Sequence, residues 1–441
     1  MRETIRWVSY FVLAVIVTVS VVFAAYRIRG PSHAQREALA LMQKDYRPKE
    51  GTNAFPLLWY VEYDVPDAEI APRFAREIAA FRAALDSDEV PIPYEPHAEK
   101  LAEAKGDPSR LCELRAGGCL AKVTADPAFM RATLATYPIM SARDKRLATA
   151  DYYWNDFPVD SRAVPVAVPQ LAQRVWLSEY ALEYADGHRS AALADTCSNL
   201  DAWRRMHRGT NSLVGSMIAI AFAQGATHLF ADMLAALPAG EPVPDACSHA
   251  LRPIEAADVD RCAEMAGEFA FSRRTFEFTT ATAEESESWG ERLGWWITLD
   301  VPQWEGWIAE QEAYFCEDPP VSLLADEPRP ASQVRVIERL ECISSLNGCL
   351  LADIAPAYAD YDTRTLDYAA HLRLAASLLW LRETTSAKPL AQRFAERPNA
   401  LRSGTRNSGY DATARMLFVD NLWSGREARF ALPVADASAS H

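Results

Sequence analysis

Between Glu284 and Asp318 the chain carries ten carboxylates against one arginine, Arg292, interleaved with Trp289, Trp295, Trp296, Trp304 and Trp307. Carboxylates beside aromatic platforms suit a sugar or a cationic ligand, and a Glu pair could act as acid and base on a glycosidic bond. Glu291, Trp295, Trp296 and Glu305 form the candidate ligand surface on that reading. Helical spacing supplies the competing and preferred one. Asp300 and Gln303 make a capping-box pattern, after which Trp304, Trp307, Ile308, Gln311 and Phe315 share one face while Glu305, Glu310 and Glu312 fall elsewhere. The tryptophans then belong to a core and the acids to a solvated face.

The second chemistry-bearing set is eight cysteines. Cys112 and Cys119 lie in RLCELRAGGCLA and Cys342 and Cys349 in RLECISSLNGCLLA, each pair with six residues between its members and a Gly immediately before the second. Closing so short a loop costs little chain entropy, and Gly lets the backbone turn tightly enough to bring the sulfurs together. Local disulfides are expected in both. Three pairings are open to the other four, and Cys197 with Cys247 and Cys262 with Cys316 is the one adopted. Buried thiols are the alternative, since Cys behaves as a small hydrophobe. Zinc sites want cysteines about two to four residues apart. No such spacing occurs, so neither a metal nor another cofactor is expected.

Other catalytic signatures do not appear in the sequence. It contains no His-Glu-x-x-His, Gly-x-Ser-x-Gly or phosphate-binding Gly-rich loop. The eight histidines, His33, His97, His188, His207, His228, His249, His371 and His441, are isolated along the chain. Triads assemble from distant residues, so an enzyme is not excluded. A core role with a hydrogen-bonded partner is expected for His371.

The elements that must position these residues begin with Val8 to Tyr26 (VSYFVLAVIVTVSVVFAAY), 19 residues without a charge. A bilayer core of roughly 30 Å asks for about 20 apolar residues in a helix. A single transmembrane anchor is expected. Cleavage after Val22-Phe23-Ala24 as a secretory signal is the alternative, although signal cores usually run about 7 to 15 residues. Arg2 and Arg6 precede the span, and Arg27, Arg29, Arg36 and Lys44 follow it. That balance by itself leans the large domain inward. Long domains translocate largely regardless of such charges, and disulfides form in oxidising compartments. The expected location is the inner (cytoplasmic) membrane, with the body in the periplasm.

A net charge of −15 disfavours nucleic acid and anionic lipid headgroups as partners. The 441-residue chain exceeds the ~250–300 residues that a single core usually serves. The expected organisation is an anchor at 1–29, a stalk or linker at 30–53, a first helical subdomain at 54–252, a second at 253–434, and a disordered tail at 435–441. Ala54 to Val65 reads as a strand or an apolar docking segment. Helices are expected at Ala34–Lys44, Asp67–Ser87, Val168–Asp186, His188–Arg208, from a cap at Asn211 or Ser212 onward, and at Arg364–Glu383. The Ser212 segment has an apolar stretch too short to span a membrane, and Gly215, Ala219 and Ala223 four apart let a neighbouring helix approach. Asp411–Asp420 and Arg426–Val434 alternate as two strands of a hairpin. The class is therefore mainly α, an antiparallel helix-pair body with a small C-terminal β-hairpin behind one membrane helix.

YADGHRSAALAD at Tyr184 echoes FAQGATHLFAD at Phe222, an offset typical of helical-hairpin solenoids. Trp176, Gly187 and Ala192 resemble tetratricopeptide positions over one hairpin, without the accompanying Tyr and second small residue. GSMIAIAFAQG with LFADMLAALP, behind a short anchor and AFPLLWYVEYDVP, resembles an uncharacterised group of bacterial membrane-anchored extracytoplasmic proteins. That resemblance implies a location and no chemistry. The expected role is binding another envelope protein, in assembly, scaffolding or immunity. An envelope glycan hydrolase using carboxylates of 284–318 is the alternative.

Overall fold

The computed structural model describes residues 2–87, 90–102, 108–284, 288–316, 342, 345–353, 358–404, 406–423, 425 and 428–435. Its helices are α1 (Arg2–Arg29), α2 (His33–Met42), α3 (Phe55–Trp59), α4 (Ile70–Asp86), α5 (Cys119–Ala125), α6 (Pro127–Leu134), α7 (Pro138–Leu147), α8 (Gln170–Ala185) and α9 (Arg189–Arg208). They continue as α10 (Leu213–Ala236), α11 (Asp245–Ala250), α12 (Cys262–Glu284), α13 (Trp289–Thr298), α14 (Val301–Ala313), α15 (Leu346–Asp353), α16 (Ala359–Glu383) and α17 (Leu390–Ala395). Strands β1 (Ser408–Asp411), β2 (Met416–Asp420) and β3 (Arg429–Pro433) form one antiparallel sheet in that order. The mainly α class with a C-terminal β element is the one the sequence predicts.

The sheet has one strand more than the expected hairpin. The stretch 411–420 is not one strand, because the Asp411 carboxylate accepts the amides of Thr413 and Ala414 at 2.8 and 3.0 Å and folds the chain back. Asp and Asn side chains commonly compete with the ladder in this way. Ala54–Val65 also departs from a strand. It forms α3, whose Phe55 and Trp59 pack among Phe74, Tyr153 and Phe157. The tail expected to be disordered lies, from residue 436, outside the described residues.

Two helices among the described residues are long and apolar enough to cross a membrane, and burial separates them. No residue in the apolar window of α1 is buried, which is consistent with a membrane-anchoring helix, whereas 72% of that of α10 is buried. α10 lies centrally between α8, α9, α12 and α16. Its small residues permit this, since Gly225 brings the backbone so close to Leu114 that a Cβ would sit 2.8 Å from that carbonyl oxygen. Ser212 caps α10 through the Gly215 amide at 3.3 Å.

Two main apolar cores exist, but chain order does not divide them at 252/253. One gathers α3 to α11 together with α16, α17 and the sheet. The other joins α2, α12, α14 and α15. The 30–53 segment takes part in it, with Ala38 and Met42 buried and Gln35 against Gly306 of α14. The helices α12 to α15 are thus an excursion from a body that the chain re-enters at α16.

Disulfides Cys112–Cys119, Cys197–Cys247 and Cys342–Cys349 are formed. The adopted Cys262–Cys316 bond is not. The Cys262 thiol instead donates to the Cys316 carbonyl oxygen at 3.1 Å, so it meets backbone rather than sulfur. The two repeated glycines also differ in role. Gly118 sits at φ +86°, a left-handed conformation that only Gly adopts freely, and donates its amide to Asp232 at 2.8 Å. Gly348 lies within α15, where a Cβ would strike Ser345 Oγ.

Gly267 provides a test of the join between the two cores, because a Cβ there would collide with the carbonyl oxygen of Asn211 on the α9–α10 turn. Gly267→Ala is expected to cost about 1–3 kcal/mol of unfolding free energy through overpacking. Gly294→Ala on α13, where the Cβ meets nothing within 4 Å, is expected to be neutral or to stabilise by ~0.5–1 kcal/mol. Denaturant titration of both variants in the same detergent checks the contrast.

Candidate functional site

Among the described residues of 284–318 no two carboxylates are brought together as an acid/base pair, and Glu285, Glu287, Glu317 and Asp318 lie outside those residues. Trp304 and Trp307 are buried in the second core, as helical spacing predicts, and Asp300 caps α14 through the Gln303 amide at 3.4 Å. Glu312 departs from the solvated face expected for it. It is 1% exposed and receives hydrogen bonds from Tyr358 at 3.4 Å and Ser272 at 3.5 Å, because α12 also covers that side of α14. Glu291 is exposed on α13 and Glu305 is half-buried on α14 beside Arg273 and Glu277. Trp295 packs partly against the second core, and the side chain of Trp296 lies outside the described residues. A 600 Å³ cleft does open beside Trp289 and Trp295, but the acid on its wall is Asp300, and neither Glu291 nor Glu305 lines it.

The histidines divide into core and surface. His371 bridges Gln224 at 3.0 Å and Asn421 at 2.8 Å and stacks on Phe430, as the core reading expects. Burial lowers His371 to about 3, and His228 and His207 to about 4, so all three are neutral at physiological pH. His207 lies 2.9 Å from Ser216 Oγ, an arrangement that could activate a hydroxyl. Both residues are buried, and the other ring nitrogen faces the Asp258 carbonyl at 3.1 Å, so the pair joins helices rather than facing solvent. His97 pairs through Nδ1 with the buried carboxylate of Glu77 at 2.5 Å, which Tyr60 and Tyr94 also bond. Sequence spacing gives no hint of that pairing across 20 residues.

A cluster of acids that the sequence reading missed lies where α7, α8 and α9 meet. Asp144 is pushed up to about 6, first by burial and next by the charge of Asp195, against hydrogen bonds from Tyr180 and Asn199. Glu179 is pushed up to about 7 by burial and by Asp144 and Glu183, and Ser141 donates to it. Glu179 and Glu183 border an open 470 Å³ cleft with Leu182 and the Arg131–Asp186 ion pair. The one legible signal was Glu179 and Glu183 at helical i,i+4 spacing. Among the described residues no group of three His, Cys, Asp or Glu is arranged to hold a metal. The cluster is therefore a set of protonatable groups rather than a metal cage.

A groove of 170 Å³ opens between Phe157, Val159, Val164, Val214 and Phe271, with Asn155, Asp160 and Glu268 also on its wall. Val159, Val164 and Val214 are 42%, 49% and 47% exposed, an unusual run of open aliphatics. The segment 163–169 beside it follows strand periodicity without belonging to a sheet. Ala163, Pro165, Ala167 and Pro169 are buried, while Val164 and Val168 are exposed and Val166 is half-buried. Its inner edge is in use, with Asn155 donating to the Pro165 carbonyl at 2.8 Å and the Tyr153 hydroxyl to that of Ala167 at 3.2 Å. Proline falls on that inner edge, where no amide is needed. On the outer edge the amides of Val164, Val166 and Val168 have no protein partner among the described residues. The sequence VPVAVP carries the alternation, but nothing local identifies which edge is left open.

No protein-family model matches the chain, and no curated protein or solved structure matches it either. The geometry alone carries the functional reading.

The raised carboxyl pKa values have a stability consequence. A carboxyl whose folded pKa exceeds its unfolded value stabilises the fold at low pH, and that contribution is lost as pH rises through the folded pKa. Glu179→Gln removes the titration, so it is expected to gain about 1–3 kcal/mol over the parent at pH 8 and to converge on it below about pH 5. Unfolding curves of the two proteins across that window check it. A gain independent of pH would contradict the assignment.

Proposed function

We propose that the protein is a single-pass, membrane-anchored binding protein whose body faces the periplasm and captures an extended segment of another envelope protein along residues 163–168. The open edge carries the reading. Adding a strand to an unpaired edge supplies main-chain hydrogen bonds for affinity, and an adjacent apolar groove reads alternate side chains. Three amides, on Val164, Val166 and Val168, without a protein partner among the described residues and a valine-walled groove next to them provide both parts. Three disulfides support an oxidising compartment. The uncovered α1 supports a tether that holds the body near its partner. The role fits assembly, scaffolding or protection in the envelope, since each depends on binding rather than turnover.

Peptides selected from a random library against the detergent-solubilised protein test the proposal. Selected peptides are expected to alternate apolar residues and to slow hydrogen exchange at Val164 and Val166. Val166→Pro removes one edge amide, worth ~0.5–1.5 kcal/mol, so affinity should fall about 3- to 10-fold. Selected peptides that bind without protecting 163–168, or that ignore Val166→Pro, would overturn it.

A further inference from the structure

α13 turns its apolar side outward. Trp289, Leu293 and Ile297 recur at i, i+4 and i+8, and are 73%, 37% and 44% exposed. Trp295, elsewhere on the helix, packs against the second core. A surface helix of a soluble body shows the reverse polarity. Ser288 caps the helix and its amphipathic character is pronounced, so the outward apolar arc belongs to a well-formed element.

The position of this helix indicates what covers the arc. Arg27, in the last turn of α1, donates to the carbonyl oxygens of Leu299 at 2.8 Å and Ile297 at 3.5 Å, and pairs with Asp300 at 3.8 Å. These contacts fix the C-terminal end of α13 to the end of the apolar helix. Val22, Phe23, Tyr26 and Arg27 are partly covered, in contrast to the open turns before them. The cleft of 600 Å³ between the two helices brings Arg27 and Arg292 together with Trp289 and Leu293. Tryptophans, aliphatics and arginines at the end of a membrane span are the composition of the headgroup layer, where indole rings and guanidinium groups meet lipid phosphates and acyl chains.

We propose that α13 lies in the membrane interface, its Trp289–Leu293–Ile297 arc seated in lipid and Arg292 directed to headgroup phosphate. The body is then held flat on the bilayer at two points, α1 and α13, rather than carried away from it on a stalk. The occupant is lipid, because the arc is continuous with the end of the span. This inference rests on α1 crossing the bilayer and is independent of the peptide-binding reading. A two-point attachment fixes which face of the body looks along the membrane.

The full-length protein reconstituted into phosphatidylethanolamine–phosphatidylglycerol vesicles with a diazirine-bearing phospholipid tests this. Photolysis and peptide mapping are expected to find lipid adducts on 289–301 as well as on α1. The double variant Leu293→Glu, Ile297→Glu should lose the α13 adducts while keeping those on α1 and the three disulfides. Adducts confined to α1 in the parent protein, with 289–301 open to a water-soluble carbene reagent in the same vesicles, would overturn the proposal without reference to any variant. Adducts on 289–301 that survive the double variant would also overturn it, since the apolar arc would not be their cause.

Discussion

A guanidinium taken out of water must find acceptors for all five of its N–H bonds, and two buried arginines impose that demand on the first core. Arg204 on α9 meets it with the carboxylate of Asp258 at 2.8 and 2.6 Å and the carbonyl oxygens of Ala250, Arg252 and Pro253 at 2.9–3.0 Å. Arg143 on α7 bonds the carbonyls of Tyr60, Val61 and Tyr63 through Nη1, that of Val65 through Nη2, and the carboxylate of Asp67 through Nε. Each collects backbone oxygens from an irregular segment that no helix could satisfy. Removing Arg204 would take the donor from the carbonyls of Ala250, Arg252 and Pro253, and removing Arg143 would take it from those of Val61 and Val65, a penalty that accumulates per group.

These clamps explain how a chain with long irregular stretches keeps a defined shape. The 60–67 segment, which follows α3, is fixed to α7, and 250–258, which leads into the second core, is fixed to α9. Phe55, Trp59, Phe74 and Phe157 pack against one another beside α3. The same region holds Asn155 and Tyr153, the side chains that bind the inner edge of 163–169. The outer edge, unpaired among the described residues, is thus positioned by a rigid inner one. Arg27 performs a related task, using backbone oxygens to tie the apolar helix α1 to α13.

The buried ionisable groups divide by what faces them. Arg204 and Asp258 are fully paired, whereas Arg261 approaches Glu264 and Asp362 at 3.5 and 3.7 Å and leaves guanidinium nitrogens without hydrogen bonds. Burial raises Glu264 to about 7, despite that cation. The difference follows distance, since a Coulomb attraction that must offset desolvation needs close contact.

Helix existence and apolar face were legible in the sequence because they depend on near neighbours. Ser212 and Asp300 as caps, Trp304 and Trp307 as core, the local Cys pairs, and the uncovered Val8–Tyr26 stretch all rest on residues within a few positions. The failures needed distant partners. Cys262 and Cys316 come close without bonding because helix ends set where thiol and carbonyl meet, and Glu312 is buried by α12 rather than by its own helix. Glu77 with His97, the Asp144–Glu179 cluster and the open edge at Val164–Val168 each depend on which surfaces the fold brings together. Sequence determined the alternation of 163–169 and the apolarity of α1. Tertiary structure decided which edge stays unpaired and which face of α13 points outward, because period fixes only that two faces differ, while packing against other elements decides which of them is covered.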